Sequence, residues 1–283
     1  MEQLLQTAIK AAIEAGKAIM QVYGSGDFGV ETKADSSPLT LADKAAHDII
    51  VGYLLTTHIP ILSEEGKHEG YEIRKHWEQL WIVDPLDGTK EFVKKTGEFT
   101  VNIALVQNCY PAAGVIFIPV TGELYYASAD KGSFKVKLHK DWLNQENVNI
   151  TSSQKLPLSH QSGISKPNKK LRIVASVSHR STETNQYIQV LEEKYGQAEV
   201  VPVGSSIKLC KIAEGSADIY PRLGPTMEWD IAAGQAIVEC AGAYVIDWNT
   251  KSRLKFNRRQ LLNNWFVVAN DKIPKDELLG LMG

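Results

Sequence analysis

The sequence has few cysteines and no long apolar run. Its three cysteines, Cys109, Cys210 and Cys240, lie far apart with no pair at metal-ligand spacing, so we expect buried, reduced thiols rather than disulfides or a zinc site. No apolar run approaches the length of a membrane span, and the first five residues lack the basic and apolar parts of a secretory signal. We therefore expect a soluble cytoplasmic protein without an integral membrane segment. Peripheral association with the inner face of a membrane stays open, but no basic amphipathic helix supports it.

An excess of charge of one sign is also absent. The 31 Lys and Arg residues nearly balance the 33 Asp and Glu residues, which gives a formal net charge of -2. This balance argues against binding to a nucleic-acid polymer, although it is compatible with a local basic pocket for a small anion.

Internal repeats and low-complexity tracts are missing as well. With 43% hydrophobic and 23% charged residues, the 283-residue chain has the composition of a globular protein with one large or two ordinary domains. The stretch 138–170 is polar, so we place a domain boundary or a large surface excursion there. We predict an α+β metal-binding domain over residues 1–150 and an α/β substrate-binding domain over residues 151–283.

The strongest chemical signal is a buried strand that runs into a turn with two acids. The apolar run 80–83 predicts a strand that stops at Asp84, and Asp87 follows three residues later. Both acids can aim at one point, while the amides of Gly88 and Thr89 stand where the N-terminus of a following helix binds an anion. Carboxylates next to an anion repel it unless a cation lies between them. This arrangement predicts magnesium together with a phosphate group, but an Asp-Pro-x-Asp-Gly sequence is also an ordinary surface turn.

A second strand also delivers acids to a loop. The apolar stretch 59–63 ends at Glu64 and Glu65. As a solvated pair these acids need no explanation, yet one of them could be a third ligand of a metal at Asp84.

Two helices begin with an acid. Asp43 lies in the first turn of a helix predicted over residues 40–57, where an acid is favoured by the helix dipole. Asp230 precedes a helix of small apolar residues, 231–240, and is either its N-terminal cap or a further metal ligand.

The remaining periodicity indicates a mixed α/β protein. The predicted elements are a helix over 2–23, an antiparallel meander over 100–137, strand, helix and strand over 171–203, a helix over 208–214, and closing strands at 244–247 and 265–269.

Taken together, three separated motifs resemble the inositol monophosphatase superfamily of magnesium-dependent, lithium-sensitive phosphatases. These motifs are Glu64-Glu65, Asp84-Pro85-Leu86-Asp87-Gly88-Thr89, and Trp229-Asp230 at the start of a small-residue helix. The resemblance covers nearly the whole chain, including the Lys33-x-Asp35-x-Ser37-Pro38-x-Thr40-x-Ala42-Asp43 stretch. It implies an α/β fold, an α+β layered sandwich of alternating helices and sheets, with the site between the two halves.

Within the superfamily the chain is most similar to the bacterial 3′(2′),5′-bisphosphate nucleotidase branch. The matching stretches are Val174-Ala175-Ser176-x-Ser178-His179-Arg180, Gly204-Ser205-Ser206-x-Lys208 and Asp218-Ile219-Tyr220-Pro221-Arg222. The resemblance implies hydrolysis of the 3′-phosphate of adenosine 3′,5′-bisphosphate, and of its sulfated form as a further candidate, in sulfur metabolism. Lys208 and Arg222 fit this on physical grounds, because a second phosphate needs cations away from the metals.

The resemblance also implies the metal ligands. Glu64, Asp84 and the carbonyl of Leu86 would hold one Mg²⁺, while Asp84, Asp87 and Asp230 would hold a second. The number of ions, two or three, stays open.

The same resemblance implies the catalytic and substrate contacts. The Thr89 hydroxyl would orient the attacking water and donate its own proton to Asp43, and Glu64 is counted with these catalytic residues. The implied substrate contacts are Glu64, Leu86, Asp87, Gly88, Thr89, His179, Ser205, Lys208, Arg222 and Asp230. His179 has an equally good interpretation as a helix-capping or core residue.

Two other functions are compatible with the sequence. One is an inositol or sugar monophosphatase with the same metal chemistry, which would gain nothing from both Lys208 and Arg222. The other is a non-catalytic nucleotide or metal sensor, which would not need a water-activating pair such as Thr89 and Asp43. The sequence leaves the oligomeric state open.

Overall fold

The structure, a computed structural model, describes residues 1–32, 38–158, 170–176 and 181–283. In chain order its α-helices are α1 Glu2–Ser25, α2 Leu41–Leu55, α3 Tyr71–Arg74, α4 Thr89–Val93, α5 Thr182–Tyr195, α6 Ile207–Glu214, α7 Glu228–Cys240 and α8 Lys275–Leu281. Its strands are β1 Glu31–Thr32, β2 Pro38–Leu39, β3 Ile61–Ser63, β4 Gln79–Asp87, β5 Thr100–Gln107, β6 Tyr110–Ile118, β7 Glu123–Ser128, β8 Gly132–Lys137, β9 Gln154–Lys155, β10 Leu171–Ala175, β11 Ala198–Pro202, β12 Ile219–Arg222, β13 Tyr244–Asp247 and β14 Phe266–Ala269.

A seven-stranded sheet forms the centre of the N-terminal part. Its strand order is β3-β4-β5-β6-β7-β8-β9, in which β3 pairs parallel to β4 and every later pair is antiparallel. The predicted meander over residues 100–137 is therefore confirmed. Because side chains alternate along a strand, Trp81 and Val83 pack on one face of the sheet while Leu80 and Ile82 pack on the other.

Helices α1 and α2 cover the first face. The apolar positions of α1 recur at helical spacing and are buried, and the helix ends at Gly26, whose φ of 78° suits glycine. Helix α2 begins with a capping box in which Thr40 and Asp43 satisfy each other's backbone amides. The predicted helices over 2–23 and 40–57 are both confirmed to within two residues at each end.

Helices α6 and α7 lie between the first sheet and a second, five-stranded sheet. Helix α7 comes so close to β6 that a Cβ on Gly114 would lie 2.4 Å from the carbonyl oxygen of Ala233, so glycine is required there. The second sheet has the order β11-β10-β12-β14-β13, with β10 parallel to β11 and β12 and the other pairs antiparallel.

The far face of the second sheet is covered by α5 and α8. The chain thus forms five layers, helix, sheet, helix, sheet and helix, which confirms the expected layered α/β sandwich. Helix α8 was not predicted. None of the described helices is long and apolar enough to cross a membrane.

The polar stretch after β8 is partly anchored in the core. Trp142 is buried and its ring packs edge-on against Phe117 at 4.9 Å between centroids, and β9 adds to the first sheet. Residues 138–158 therefore form an excursion with a buried anchor, whereas 159–169 lie outside the described residues. The division into domains at residue 150 stays a prediction.

Candidate metal and phosphate site

Parallel pairing of β3 and β4 brings two of the predicted acids together. The register aligns Ser63 with Val83, so the next residues, Glu64 and Asp84, leave the pair side by side. The Glu64 amide donates to the Val83 carbonyl at 3.0 Å, and the nearby Glu64 carboxyl group contributes to raising the pKa of Asp84. Two carboxylates held close together repel each other unless a proton or a cation compensates their charge.

The end of β4 is kinked between the two acids of the central motif. Its pairing with β5 shifts register between Asp84 and Asp87, and the Leu86 amide donates to Asp84 Oδ1 at 3.0 Å. The prediction that the strand stops at Asp84 is wrong, because pairing with β5 resumes at Asp87, opposite Thr100. The irregularity acts as a bulge that re-aims the acids without ending the strand.

Gly88 lets the chain leave β4 and enter α4. Its φ is 92°, and a Cβ there would lie 2.9 Å from the carbonyl oxygen of Glu98, so only glycine fits without displacing the backbone. The predicted helix begins at Thr89 but has only five residues. Any anion contact here therefore depends on the amides of Gly88 and Thr89 themselves more than on a long helix dipole.

Thr89 and Asp43 are in contact, as the motif resemblance implied. Thr89 Oγ1 donates to Asp43 Oδ1 at 3.2 Å and also lies 3.2 Å from the Leu86 carbonyl oxygen. Asp43 Oδ2 accepts from the Thr40 amide at 2.7 Å and from its hydroxyl at 2.5 Å. Asp43 is therefore both a helix-capping residue and the partner of Thr89, with a different oxygen for each.

Asp87 is joined to a loop from the C-terminal part of the chain. Its Oδ2 accepts from Ser205 Oγ at 2.7 Å and from the Ser206 amide at 2.6 Å. Ser205 has a φ of 53°, an uncommon backbone conformation for a non-glycine residue. The predicted substrate contact Ser205 thus has a hydroxyl that holds a predicted metal ligand.

Asp230 lies in the first turn of α7. Its Oδ2 accepts from the Met227 amide at 2.9 Å. Helix α7 begins at Glu228, so the prediction that Asp230 precedes the helix is wrong. Asp230 caps the Met227 amide from the third helical position, and its role as a metal ligand stays a prediction.

Burial and mutual repulsion dominate the electrostatics of the acid cluster. Burial, followed by the charges of Glu64, Asp87 and Asp230, raises the pKa of Asp84 well above its usual value. Burial and Asp87 likewise raise the pKa of Asp230 strongly. Burial also raises the pKa of Asp87, although Lys208 and the bonds from the 205–206 loop oppose this.

These residues suit a hard divalent cation by their chemistry, but they are not arranged as a finished cage. Across the described ranges, no group of three or more His, Cys, Asp and Glu side chains is placed to hold a metal ion. The hydrogen bonds described above use Oδ2 of Asp87 and of Asp230, so Oδ1 of each is available in principle as an oxygen ligand. An all-oxygen set of mutually repelling acids fits magnesium better than a softer metal.

Lys208 is buried beneath the Gly-Ser-Ser loop. Its Nζ donates to the Ser205 carbonyl at 2.6 Å and to the Val203 carbonyl at 3.1 Å, and it lies 5.6 Å from the centre of the Tyr220 ring. Burial lowers its pKa to about 8. Lys208 therefore supports the loop that contacts Asp87, in addition to placing positive charge near the site.

Of the two other predicted nucleotide contacts, Arg222 and His179, the structure describes only Arg222. Arg222 donates from Nη2 to the Pro225 carbonyl at 2.7 Å, and its buried Nε has no hydrogen-bond partner among the described residues. An unpaired buried guanidinium nitrogen is suited to an incoming anion. His179 lies outside the described residues, so its contact stays a prediction.

One pocket of about 270 Å³ is lined by several of the predicted site residues, but not by Glu64, Asp84 or Leu86. Its lining includes Asp87, Gly88, Thr89, Ser205, Lys208, Arg222 and Asp230. Thr100 and Asn102 lie directly behind it and were not predicted. Thr100 Oγ1 is 2.7 Å from the hydroxyl oxygens of Ser205 and Ser206. The sequence did contain a signal for Thr100 and Asn102, because both are polar residues on the same face of an otherwise apolar strand.

Comparison with known proteins agrees with the motifs. The chain is 42% identical over 273 residues to the 3′(2′),5′-bisphosphate nucleotidase CysQ of Escherichia coli strain K12, covering 94% of this chain and 99% of that protein. It is 33% identical to the protein of the same name from Haemophilus influenzae, covering 96% and 94%. A crystal structure of CysQ from Bacteroides thetaiotaomicron superposes with a TM-score of 0.82 at 46% identity, covering 95% and 97%. The model of the inositol monophosphatase family matches residues 1–282, and the chain belongs to that family.

Proposed function

We propose that this protein is a magnesium-dependent 3′(2′),5′-bisphosphate nucleotidase that hydrolyses adenosine 3′,5′-bisphosphate to AMP and inorganic phosphate. The relatives named as such enzymes align with nearly the whole chain. The observation that carries the proposal is that one pocket is lined both by the acids Asp87 and Asp230 and by the cations Lys208 and Arg222.

The family is metal-dependent, and its typical metal is Mg²⁺. In this chain Glu64, Asp84 and the Leu86 carbonyl would hold one ion, and Asp84, Asp87 and Asp230 a second. When bound, the ions would polarise the phosphoryl oxygens and lower the pKa of a nearby water. Because burial and the neighbouring acids raise the pKa values of Asp84 and Asp230, binding of a cation would release protons from the cluster.

The Thr89 hydroxyl orients the attacking water when it donates its own proton to Asp43 and not to the equally distant Leu86 carbonyl. At 3.2 Å this bond is long, as catalytic hydrogen bonds often are without substrate. With the proton on the Asp43 side, a lone pair of Thr89 Oγ1 can accept from the water. The amides of Gly88 and Thr89 contact the phosphate that is cleaved.

The two cations that line the pocket, Lys208 and Arg222, select the substrate. Arg222 offers an unpaired guanidinium nitrogen, which binds the phosphate that is not cleaved. Lys208 acts from beneath the loop, where its charge favours an anion without direct contact. A substrate with one phosphate leaves Nε of Arg222 without a partner. We include the sulfated nucleotide as a further substrate and cytoplasmic sulfur metabolism as the setting.

Product analysis tests the reaction. The purified protein is incubated with adenosine 3′,5′-bisphosphate and Mg²⁺, and the nucleotide product is separated by chromatography. We expect 5′-AMP and one equivalent of inorganic phosphate, no turnover with a chelator, and inhibition by lithium. Formation of 3′-AMP, or no phosphate release at any Mg²⁺ concentration, would overturn the proposal.

A further inference from the structure

A buried arginine connects two segments that come from distant parts of the chain. Arg74, only 3% exposed, ends α3. It donates from Nε to the Glu69 carbonyl at 3.0 Å, from Nη1 to Asn257 Oδ1 at 2.7 Å and from Nη2 to the Arg258 carbonyl at 3.2 Å. Glu69 belongs to the loop that follows Glu64, so Arg74 ties this loop to the segment at 257–258.

That segment in turn holds the start of α7. The Asn257 amide donates to Glu228 Oε2 at 2.6 Å, and Arg258 donates to Glu228 Oε1 from its amide at 3.0 Å and from Nε at 3.2 Å. The Asn257 side chain also donates to the Arg74 carbonyl at 2.7 Å. Glu228 is fully buried and lies two residues before Asp230.

A second contact joins the same two regions. His68 Nε2 lies 2.8 Å from the Ser63 carbonyl oxygen, next to Glu64. The His68 ring packs on Trp229, the neighbour of Asp230, at 5.4 Å between centroids. The loop after Glu64 and the first turn of α7 are therefore held together at two independent points.

We propose that Arg74, Asn257 and Glu228, here called the Arg74 clamp, are positioning residues that set the separation of Glu64 and Asp230 and thereby the affinity of the site for divalent cations. The inference deepens the proposed function and rests on it. The two acids repel each other and belong to different layers, so an outer set of bonds must hold them before a cation arrives. The planar fork of an arginine reaches three oxygens in fixed directions, which a lysine cannot do.

Two variants weaken the clamp in different ways. Arg74→Lys keeps the charge and loses the fork. Asn257→Gly removes the bridging amide and keeps the backbone, because Asn257 has a φ of 59° that glycine adopts readily. Asn257→Gly introduces no new bulk, so the test does not depend on Arg74→Lys folding.

Arg172→Lys is the matched control. Arg172 is also a partly buried arginine with a fixed fork, which contacts both oxygens of Asp218 and the Gly215 carbonyl. Arg172 lies near the N-terminal end of β10, whereas the pocket-lining residue Ser176 follows the C-terminal end of that strand.

We would measure the binding of Mn²⁺ to each full-length protein without substrate, using electron paramagnetic resonance to quantify the free ion. The melting temperature of each protein is recorded in parallel. We expect the Mn²⁺ Kd to rise about 10-fold in Arg74→Lys and in Asn257→Gly. In the double variant we expect the rise in Kd to be smaller than the product of the two single-variant rises, because Arg74 and Asn257 are in direct contact. Arg172→Lys should lose thermal stability but keep the wild-type Kd.

Three results decide the matter. Kd values within twofold of the wild type in both clamp variants, or an equal loss in Arg172→Lys, would overturn the clamp while leaving the proposed function intact. A wild-type protein that binds no Mn²⁺ would instead overturn the proposed function and the clamp with it.

Discussion

Asp87 contributes to two structures with a single side chain. Its Oδ2 anchors the loop at Ser205 and Ser206, and its charge adds to the acid cluster around Asp84. A change that keeps the shape and removes the charge separates these roles.

Asp87→Asn is expected to abolish magnesium-dependent turnover while the fold persists. The asparagine oxygen can still accept from the loop, so the metal-free protein should melt no lower than the wild type, because one repelling carboxylate is gone. The rise in melting temperature on adding Mg²⁺ should shrink markedly. Asp48→Asn, on the exposed face of α2, is the control. Unchanged turnover and magnesium dependence in Asp87→Asn would contradict the metal assignment.

Thr89 and Asp43 are expected to affect the rate more than metal binding. Thr89→Val removes the hydroxyl with little change in volume, and we expect kcat to fall by about 100-fold or more. Thr89→Ser should retain most of the activity. Steady-state kinetics with Mg²⁺ titrations check both.

The capping role of Asp43 needs its own control. Asp43→Ala should lose rate and also about 1 kcal/mol of stability from the cap. Thr40→Ala removes the hydroxyl that caps the same helix and should lose a similar amount of stability with a much smaller loss of kcat. Equal losses of rate in the two variants would make Asp43 purely structural.

At the scale of elements, the position of the Gly-Ser-Ser loop depends on contacts from strand β5 and from Glu98. Strand β5 supplies Thr100 and Asn102 beneath its hydroxyls, and Glu98 Oε2 accepts from the Gly204 amide at 2.9 Å. A Cβ on Gly204 would itself lie 2.9 Å from that oxygen. The loop is therefore held from the N-terminal side of the pocket.

Glu98→Ala is expected to raise the KM for the nucleotide about fivefold, because the Gly204 amide loses its acceptor. Glu98→Gln keeps an acceptor oxygen and should raise KM less. Metal affinity should change little in either. A loss of metal affinity without a change in KM would show that Glu98 acts on the metal ligands instead.

The elements near the site were largely predictable because their signals are local. Periodicity located α1, α2 and the meander, and the acids of the central motif lie three residues apart on one turn. The course of β4 through Asp87 was not predictable, since it depends on pairing with β5 rather than on the turn residues. Helix α8 is short and its buried face is completed only by the second sheet.

The site itself was predictable in its members and less so in its connections. Spacing and resemblance pointed to Asp43, Thr89 and the acids, but nothing local in the sequence says that Lys208 donates to its own loop. The link from Arg74 to Asn257 spans 183 residues, and a contact of that range has no signature in a single sequence.

At the scale of the whole molecule, the acid cluster makes metal-free stability depend on pH. The pKa values of Asp84, Asp87 and Asp230 are raised above the usual value of 3.8, mainly by burial. The folded protein therefore binds more protons than the unfolded chain above about pH 4, so the free energy of unfolding falls as pH rises through the folded pKa values.

Melting temperatures at pH 5.5 and 7.5 check this. Without metal we expect a lower melting temperature at pH 7.5, and with Mg²⁺ a larger stabilisation at pH 7.5 than at pH 5.5, because binding displaces protons. Asp218 and Glu214 have lowered pKa values, so their protonation changes the stability mainly below pH 5.5. Equal stabilisation by Mg²⁺ at both pH values would contradict the account.

The most direct test of the central claim compares two substrates with one enzyme preparation. Phosphate release is measured with Mg²⁺ from adenosine 3′,5′-bisphosphate and from inositol 1-phosphate, and kcat/KM is determined for each. We expect a preference for the nucleotide of at least about 100-fold, because only the nucleotide pairs with Arg222 after the scissile phosphate is in place. An equal or reversed preference would contradict it and would leave the metal site in a monophosphatase.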